Sequence, residues 1–211
     1  MYDSGITAAQ LIADLQDEVD IITPIPNRLY VQWLNSLMQL LYEDVIREQY
    51  SVSLGNQPGL DSALAQIEFD LSECEHDPNA DTIRYEDISE VYNGRVQLIR
   101  SGIKGGLYDQ FPNTYYKKGD KLAIYGPLNG NYSIIYVARP ALIQVDSEDD
   151  VGTGNVMLPI EHIDLVKAKL RGEAYKVANE DVLSAKWLND YNMLLEYLKA
   201  WAMSRKAEFG V

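Results

Sequence analysis

Few of the residues that could carry out chemistry stand at a spacing that suits it. Cys74-Glu75-His76-Asp77 contains metal-ligand residue types, but adjacent side chains cannot all turn toward one ion, and no second ligand pair at zinc-like spacing accompanies them. Asp146-Ser147-Glu148-Asp149-Asp150 departs from the calcium-loop pattern, because Gly152 comes one residue late and no glutamate closes the loop. At most weak calcium affinity is expected there, and no metal site is predicted.

Two further motifs also lack the partners that chemistry requires. His162 stands on the first turn of a predicted helix with no general-acid or nucleophilic partner close in sequence, which favours a structural histidine. Gly152-Thr153-Gly154 lacks the third glycine of a dinucleotide fingerprint, since Met157 occupies its position. We therefore predict no catalytic residue and no cofactor, and the sequence favours a protein that is not an enzyme.

The composition restricts the partners of the chain. Its 211 residues are 46% apolar, and 18 basic against 32 acidic residues give a net charge of −14. Such a charge argues against a surface that grips nucleic acid or docks on an anionic membrane. One cysteine, no signal-peptide pattern and no apolar run of about 20 residues lead us to expect a soluble intracellular protein.

Apolar residues at steps of three and four predict helices at both ends of the sequence. Thr7-Ala8-Ala9-Gln10 has the form of a capping box for a first helix near residues 8–18. Asn27 is the predicted cap of a long second helix that continues to about Gln49. After Pro159 the sequence predicts two further helices, the second capped by Asp181, that form a helical hairpin.

The intervening sequence predicts β structure. Residues 51–60 are interpreted as a loop, and residues 66–72 alternate strictly, as a half-buried strand does. Asn93-Gly94 and Asn129-Gly130 each separate two strand-like runs, so two tight hairpins are expected to form a small sheet. The prediction is a single α+β domain over 1–211: a helical bundle from 8–49 and 159–207, with a small antiparallel β module at 66–142 inserted.

This order of elements resembles the head-to-tail adaptor, or connector, proteins of tailed bacteriophages. The resemblance covers most of the chain and lies in four structural segments, Arg28-Leu29-Tyr30-Val31-Gln32-Trp33-Leu34-Asn35, Tyr115–Pro127, Ser133–Leu142, and Leu158-Pro159-Ile160-Glu161-His162 followed by two helices. The acidic stretch 61–81 and the glycines of 102–106 have no counterpart in that pattern. Fifteen tyrosines and three tryptophans also favour a protein that makes repeated protein contacts.

The resemblance implies a non-enzymatic virion structural protein. It would form a homo-oligomeric ring, usually of twelve subunits in the family, beneath the portal protein in the virion neck, after synthesis in the bacterial cytoplasm. The ring would extend the DNA channel without binding DNA specifically, and it would offer a docking surface to the tail, a stopper or the tail tube. The alternatives are another neck, tail-completion or assembly factor, or a small-ligand enzyme whose site is built from scattered residues.

The C-terminal residues are the predicted contact surface. Large apolar side chains continue almost to the last residue beside an adjacent basic pair, although a chain end frays unless something holds it. We predict an inter-subunit or portal-facing contact there, and the alternative is that Trp201 and Phe209 fold back onto their own bundle. The predicted contact residues are Trp201, Arg205, Lys206, Phe209 and Val211.

Overall fold

A computed structural model describes residues 2–19, 24–47, 49–56, 64–74, 80–101, 112–127, 130–146 and 148–209. The predicted fold class is confirmed: the chain is an α+β protein in which a β module is inserted between helices. It divides into two compact units, residues 1–47 with 139–211, here called the helical unit, and residues 48–138, here called the β module. The chain passes from the helical unit to the β module between residues 47 and 48 and returns between 138 and 139. The prediction had placed the helical segments at 8–49 and 159–207 and the β module at 66–142.

Four α-helices lie in the described part of the helical unit. They are α1 (Ala8–Glu18), α2 (Asn27–Leu40), α3 (Ile163–Val177) and α4 (Asp181–Phe209). The predicted capping box is present, since the Thr7 side chain accepts from the Gln10 N–H at 3.1 Å and the Gln10 side chain accepts from the Thr7 N–H at 3.2 Å. One apolar core joins the buried faces of all four helices, as the periodicity predicted.

The end of the second helix differs from the prediction. Regular α-helix ends at Leu40, and Leu41–Ile46 continue as a π-helical segment that closes at Arg47 in the left-handed conformation. Two adjacent residues are buried in each turn of this segment: Leu41 with Tyr42, and Val45 with Ile46. The wider turn of a π-helix can direct both residues of each pair into one core.

The start of α2 corrects a second expectation. Asn27 does not cap this helix: it is the first helical residue, and its backbone N–H donates to Asp149 Oδ2 at 2.7 Å. The N–H of Arg28 donates to Asp149 Oδ1 at 2.9 Å, and the Asn27 side-chain amide donates to the Asp149 carbonyl at 2.8 Å. The cap therefore comes from 122 residues away in sequence. A carboxylate there also opposes the positive end of the helix dipole.

Helices α3 and α4 pack at a point where side chains are small. A Cβ built on Gly172 would lie 2.8 Å from Leu188 Cγ, so this glycine allows the close approach. The Ser184 hydroxyl, which is buried, donates to the Gly172 carbonyl at 2.9 Å. Asp181 is not the cap that was predicted for α4 but its first helical residue, and it places its charge in the first turn. The predicted hairpin of two helices is thus present.

The β module contains two sheets. Its strands are β1 (Gln49–Asn56), β2 (Leu64–Asp70), β3 (Ile88–Asn93), β4 (Val96–Gln97), β5 (Ile99–Arg100), β6 (Thr114–Lys118), β7 (Lys121–Pro127) and β8 (Asn131–Val137). One sheet has the order β1-β8-β3-β4, and the other has the order β2-β7-β6-β5. All neighbours are antiparallel except β5 and β6.

Three predictions for the β module were wrong in detail. Residues 49–56 form β1, paired with β8, where a loop was expected over 51–60. Strands β7 and β8 do not form a hairpin within one sheet but belong to different sheets. The first hairpin turns at Gly94-Arg95, because Asn93 still pairs with Val96; of the two turn residues only Gly94 has a positive φ. Asn129 lies outside the described residues.

Replacing Asp149 should test the distant helix cap. Asp149→Gly removes both carboxylate acceptors while allowing the observed φ of +68°, and we expect it to lower the free energy of unfolding by about 1 kcal/mol. Asp149→Asn keeps one acceptor and tolerates the same backbone, so it should lose less. Urea denaturation measures both variants, and equal losses in the two would contradict the capping role.

Candidate interaction surface

Trp201, the first of the predicted contact residues, lies on α4 and packs against its own chain. Its half-buried ring makes edge-to-face contacts with Tyr2 (centroid distance 5.3 Å) and with His162 (5.2 Å). Contacts of this type stabilise aromatic pairs beyond the area that they bury. The structure therefore places Trp201 in the intramolecular arrangement that was the alternative for this residue, while contact with another subunit stays a prediction.

Arg205 lies one turn further along α4 and joins the same group of rings. Its guanidinium carbon lies 5.5 Å from the centroid of the Tyr2 ring and 5.4 Å from that of the Trp201 ring. Both distances suit cation–π interactions. Tyr2, His162, Trp201 and Arg205 are called the Trp201 cluster below. The remaining predicted residues are less defined: Lys206 and Phe209 belong to α4 without described side chains, and Val211 lies outside the described residues.

The N-terminal segment holds Tyr2 in place by pairing with residues 154–156. Ser4 donates from both its N–H and its hydroxyl to the Val156 carbonyl, at 3.2 Å and 2.8 Å, and the Val156 N–H donates to the Ile6 carbonyl at 2.9 Å. The Tyr2 N–H also donates to the hydroxyl of Tyr42, which is fully buried, at 3.3 Å. Sequence reasoning missed this segment because residues 2–6 carry no strand-like alternation.

His162 is the titratable member of the cluster with a buried nitrogen. It stands directly before α3, and its Nε2 atom is buried with no hydrogen-bond partner among the described residues. Burial lowers the pKa of His162 below its ordinary value, an effect that the nearby charge of Glu161 partly opposes. The imidazole is therefore neutral at neutral pH, as the prediction of a structural histidine requires.

The side of α4 that faces away from its buried residues exposes large apolar side chains. Val182, Met193, Tyr197 and Met203 are 83%, 52%, 62% and 70% exposed. With 3.6 residues per turn, the first three fall within about 60° around the helix axis. These four residues are called the outer face of α4. Because Tyr191, Leu198 and Ala202 are buried on its inner side, α4 is apolar on two sides, a character that is typical of helices covered on both.

The described part of the β module contains a polar pocket of about 420 Å³. This volume is within the range of small-ligand sites. Its charged lining residues engage one another or close neighbours: the Lys117 ammonium forms a short ion pair with Glu86, and Asp70 Oδ1 accepts from the Ser72 hydroxyl at 2.6 Å. The lining residues are Asp70, Ser72, Thr82, Ile83, Arg84, Tyr85, Glu86, Lys117 and Asp120.

The electrostatics of this pocket do not suit acid–base catalysis. Hydrogen bonding to Glu86 raises the pKa of Lys117, and hydrogen bonds from the side chain and backbone of Ser72 lower the pKa of Asp70. Both shifts fix the charge that each group already carries near neutral pH. A general base or acid needs the opposite shift, toward the working pH. The pocket can hold a small polar molecule, but the pKa shifts of Lys117 and Asp70 do not tune these two groups to transfer protons.

The metal-ligand residue types of the sequence do not assemble in the described structure. Among the residues described, no three or more of His, Cys, Asp and Glu stand close enough together to hold an ion. Glu75, His76 and Asp77 lie outside the described residues. Asp146 Oδ1 accepts from the N–H groups of Glu148 and Asp150, at 2.8 Å and 2.9 Å, so this carboxylate shapes its own loop. No described helix is long and apolar enough to cross a membrane.

Two substitutions on α4 should separate its inner from its outer face. Trp201→Ala removes the centre of the Trp201 cluster, and we expect a loss of about 3 kcal/mol in unfolding free energy, at the low end for a large aromatic because the ring is half-buried. Met203→Ala, two residues away and exposed, should change stability by less than about 0.5 kcal/mol. Chemical denaturation of the two variants in parallel provides the measurement. A small loss at Trp201 would contradict the cluster's role in the fold.

Comparison of the sequence with models of protein families and with curated proteins found no match.

Proposed function

We propose that this chain is a head-to-tail adaptor of a tailed bacteriophage. Identical subunits form a ring beneath the portal, extend its channel for DNA and present a docking surface to the tail or to a stopper. The proposal joins the resemblance of the sequence to that family with a confirmed α+β fold in which a β module interrupts a helical bundle. Assembly into a ring is a mechanical function, so it requires surfaces and not a catalytic site.

The outer face of α4 is the observation that most supports the proposal. Its four large apolar residues are exposed in the single chain, and isolated exposed apolar residues are common, but three of them within about 60° of one helix are typical of a contact surface, with Met203 at its border. Between Met193 and Met203 the charges of Glu196 and Lys199 neutralise each other in an ion pair of 2.7 Å. A nearly neutral face reduces the repulsion that a net charge of −14 imposes when copies of the chain meet.

Most residues of the segments that carry the resemblance occupy regular elements, although 138–142 lie beyond β8. Residues 28–35 lie in α2, and residues 115–127 span the hairpin of β6 and β7, which turns at Gly119 with a φ of +61°. Residues 133–137 lie in β8, and Pro159 precedes the short helical turn that leads into α3. The segments therefore support the proposal by the order of their helices and strands as well as by their local sequence.

The distribution of charge also supports a channel that does not grip DNA. Lys117 and Lys118, an adjacent basic pair in the β module, form ion pairs with Glu86 and Glu68. Hydrogen bonding to these carboxylates raises the pKa of both lysines, so they stay charged but neutralised. Lysines engaged in this way release few counterions from a phosphate backbone, which limits their contribution to binding.

Assembly is the property that tests the proposal. Negative-stain imaging and light scattering of the purified chain, alone and mixed with a candidate portal protein, should show rings or a ring-shaped complex. Deleting residues 207–211 should abolish ring formation or portal attachment while the melting temperature stays nearly unchanged. A sharp fall in melting temperature, with assembly retained by the folded fraction, would assign this terminus to the interior of the subunit.

A charge on the outer face of α4 sharpens the same experiment. Tyr197→Glu places a carboxylate among exposed apolar residues, and it should prevent assembly without unfolding the monomer. Gln32→Glu adds the same charge at an exposed position of α2 and serves as the matched control. If the parent chain stays monomeric under all conditions, the proposed ring is wrong. If it binds the portal as a monomer, it is another neck or tail-completion factor.

Binding to duplex DNA should be weak or absent at about 150 mM salt. The net charge of −14 and the paired lysines leave little positive surface to neutralise phosphates. Fluorescence anisotropy with a labelled duplex, titrated at several salt concentrations, measures both affinity and salt dependence. Sub-micromolar binding with a steep salt slope would favour a protein that grips DNA over one that lets it slide.

A further inference from the structure

His162 lies where a neutral imidazole fits and a protonated one does not. Its ring packs edge-on against Trp201 at a centroid distance of 5.2 Å, and its Nε2 atom is buried with no partner in the described residues. Protonation would give this nitrogen, or its ring partner, a further N–H and place a positive charge on a partly buried ring whose Nε2 atom is shielded from water. An unmatched buried donor costs free energy, and a buried charge costs more.

Charged groups around the cluster act on a protonated His162 in both directions. From α4, the Arg205 guanidinium already lies on the Trp201 ring at 5.4 Å, so a protonated His162 would be a second cation on one indole. The N-terminus of α3, which follows His162 directly, has the positive end of its dipole at this position. The N-terminal segment contributes the uncharged Tyr2 phenol. Glu161, on the same helical turn, offsets part of this repulsion, and Asp164 is a second acid in the first turn of α3.

We propose that His162 is a pH-sensitive latch: protonation of its imidazole releases Trp201, and with it Tyr2 and the end of α4, from the helical unit. The Trp201 ring is the contact that these residues share, since it touches Tyr2, His162 and Arg205. Hydrogen bonds to Val156 and Tyr42 hold the N-terminal segment in addition. When His162 becomes a cation that Arg205 repels, the N-terminal segment and the end of α4 lose the contact that they share. The latch is a property of the single chain and does not depend on ring formation.

The direction of the pH dependence follows from linkage. In the released state the imidazole is solvated and titrates near its ordinary value of 6.5, whereas burial lowers the pKa of His162 in the closed cluster. Above pH 6.5 both states are neutral, so the closed cluster is fully stable. As the pH falls from 6.5 toward the lowered pKa, the released state takes up the proton first, and the closed cluster becomes less stable.

The sequence offers a direct readout because it contains only two histidines. In a His76→Gln variant the ring protons of His162 give the sole histidine signals in an NMR titration from about pH 8 to about pH 5. In a Trp33→Phe/Trp187→Phe background, Trp201 is the sole tryptophan, and its emission reports solvent exposure of the indole. We expect a His162 midpoint below 6.5 and a red shift of Trp201 emission that follows the same protonation.

Two further variants decide between a latch and general acid unfolding. His162→Phe keeps an aromatic edge against Trp201 without a titratable nitrogen, so its Trp201 emission should stay constant over this pH range, with His162→Leu as the second variant should the first fail to fold. Circular dichroism checks that the helices persist in every case. A His162 midpoint at or above 6.5, constant emission in the parent, or an unchanged red shift in the non-titrating variants would overturn the proposal.

Discussion

The helical unit depends on the hydrogen bonds that one irregular segment, residues 143–156, supplies to groups far away in sequence. The Ile143 N–H and carbonyl form a reciprocal pair with the Asn35 side chain, at 3.0 Å and 2.9 Å. Asp149 satisfies the first N–H groups of α2, and the Gly154 carbonyl accepts from the first residue of α1 at 2.8 Å. Buried backbone groups must find partners, so a segment without regular structure fixes where two helices begin.

Helix positions could be predicted from the sequence because their determinants are local. The capping box at Thr7 and the apolar periodicity of α1 to α4 depend on residues three or four apart, and both signals were correct. The cap of α2 could not be found in this way, since Asp149 looked like one acid in a charged loop. Its positive φ and its partners 121 and 122 residues away are tertiary facts.

The β module shows the same limit for strand pairing. Strand β2 had a recognisable pattern, but nothing local says that β7 and β8, close neighbours in sequence, belong to different sheets. Strand β1 did carry a signal, because Tyr50, Val52 and Leu54 alternate with exposed polar residues. The glycine and proline that follow this run suggested a loop instead. For the Trp201 cluster, Trp201 and Arg205 could be selected by their position near the terminus, whereas Tyr2 and His162 required the fold.

Helix α4 connects the two features on which the functional proposals rest. Trp201 points into the helical unit, and Met203, two residues later, is rotated by about 200° around the same axis. A rigid helix cannot move one side without the other, so contacts of Trp201 with Tyr2 and His162 also fix the orientation of the outer face. A partner that covers Met203 and Tyr197 would bind best when this orientation is already set, because less ordering then accompanies association. The inner cluster would thus determine how well the outer face is prepared for the proposed assembly.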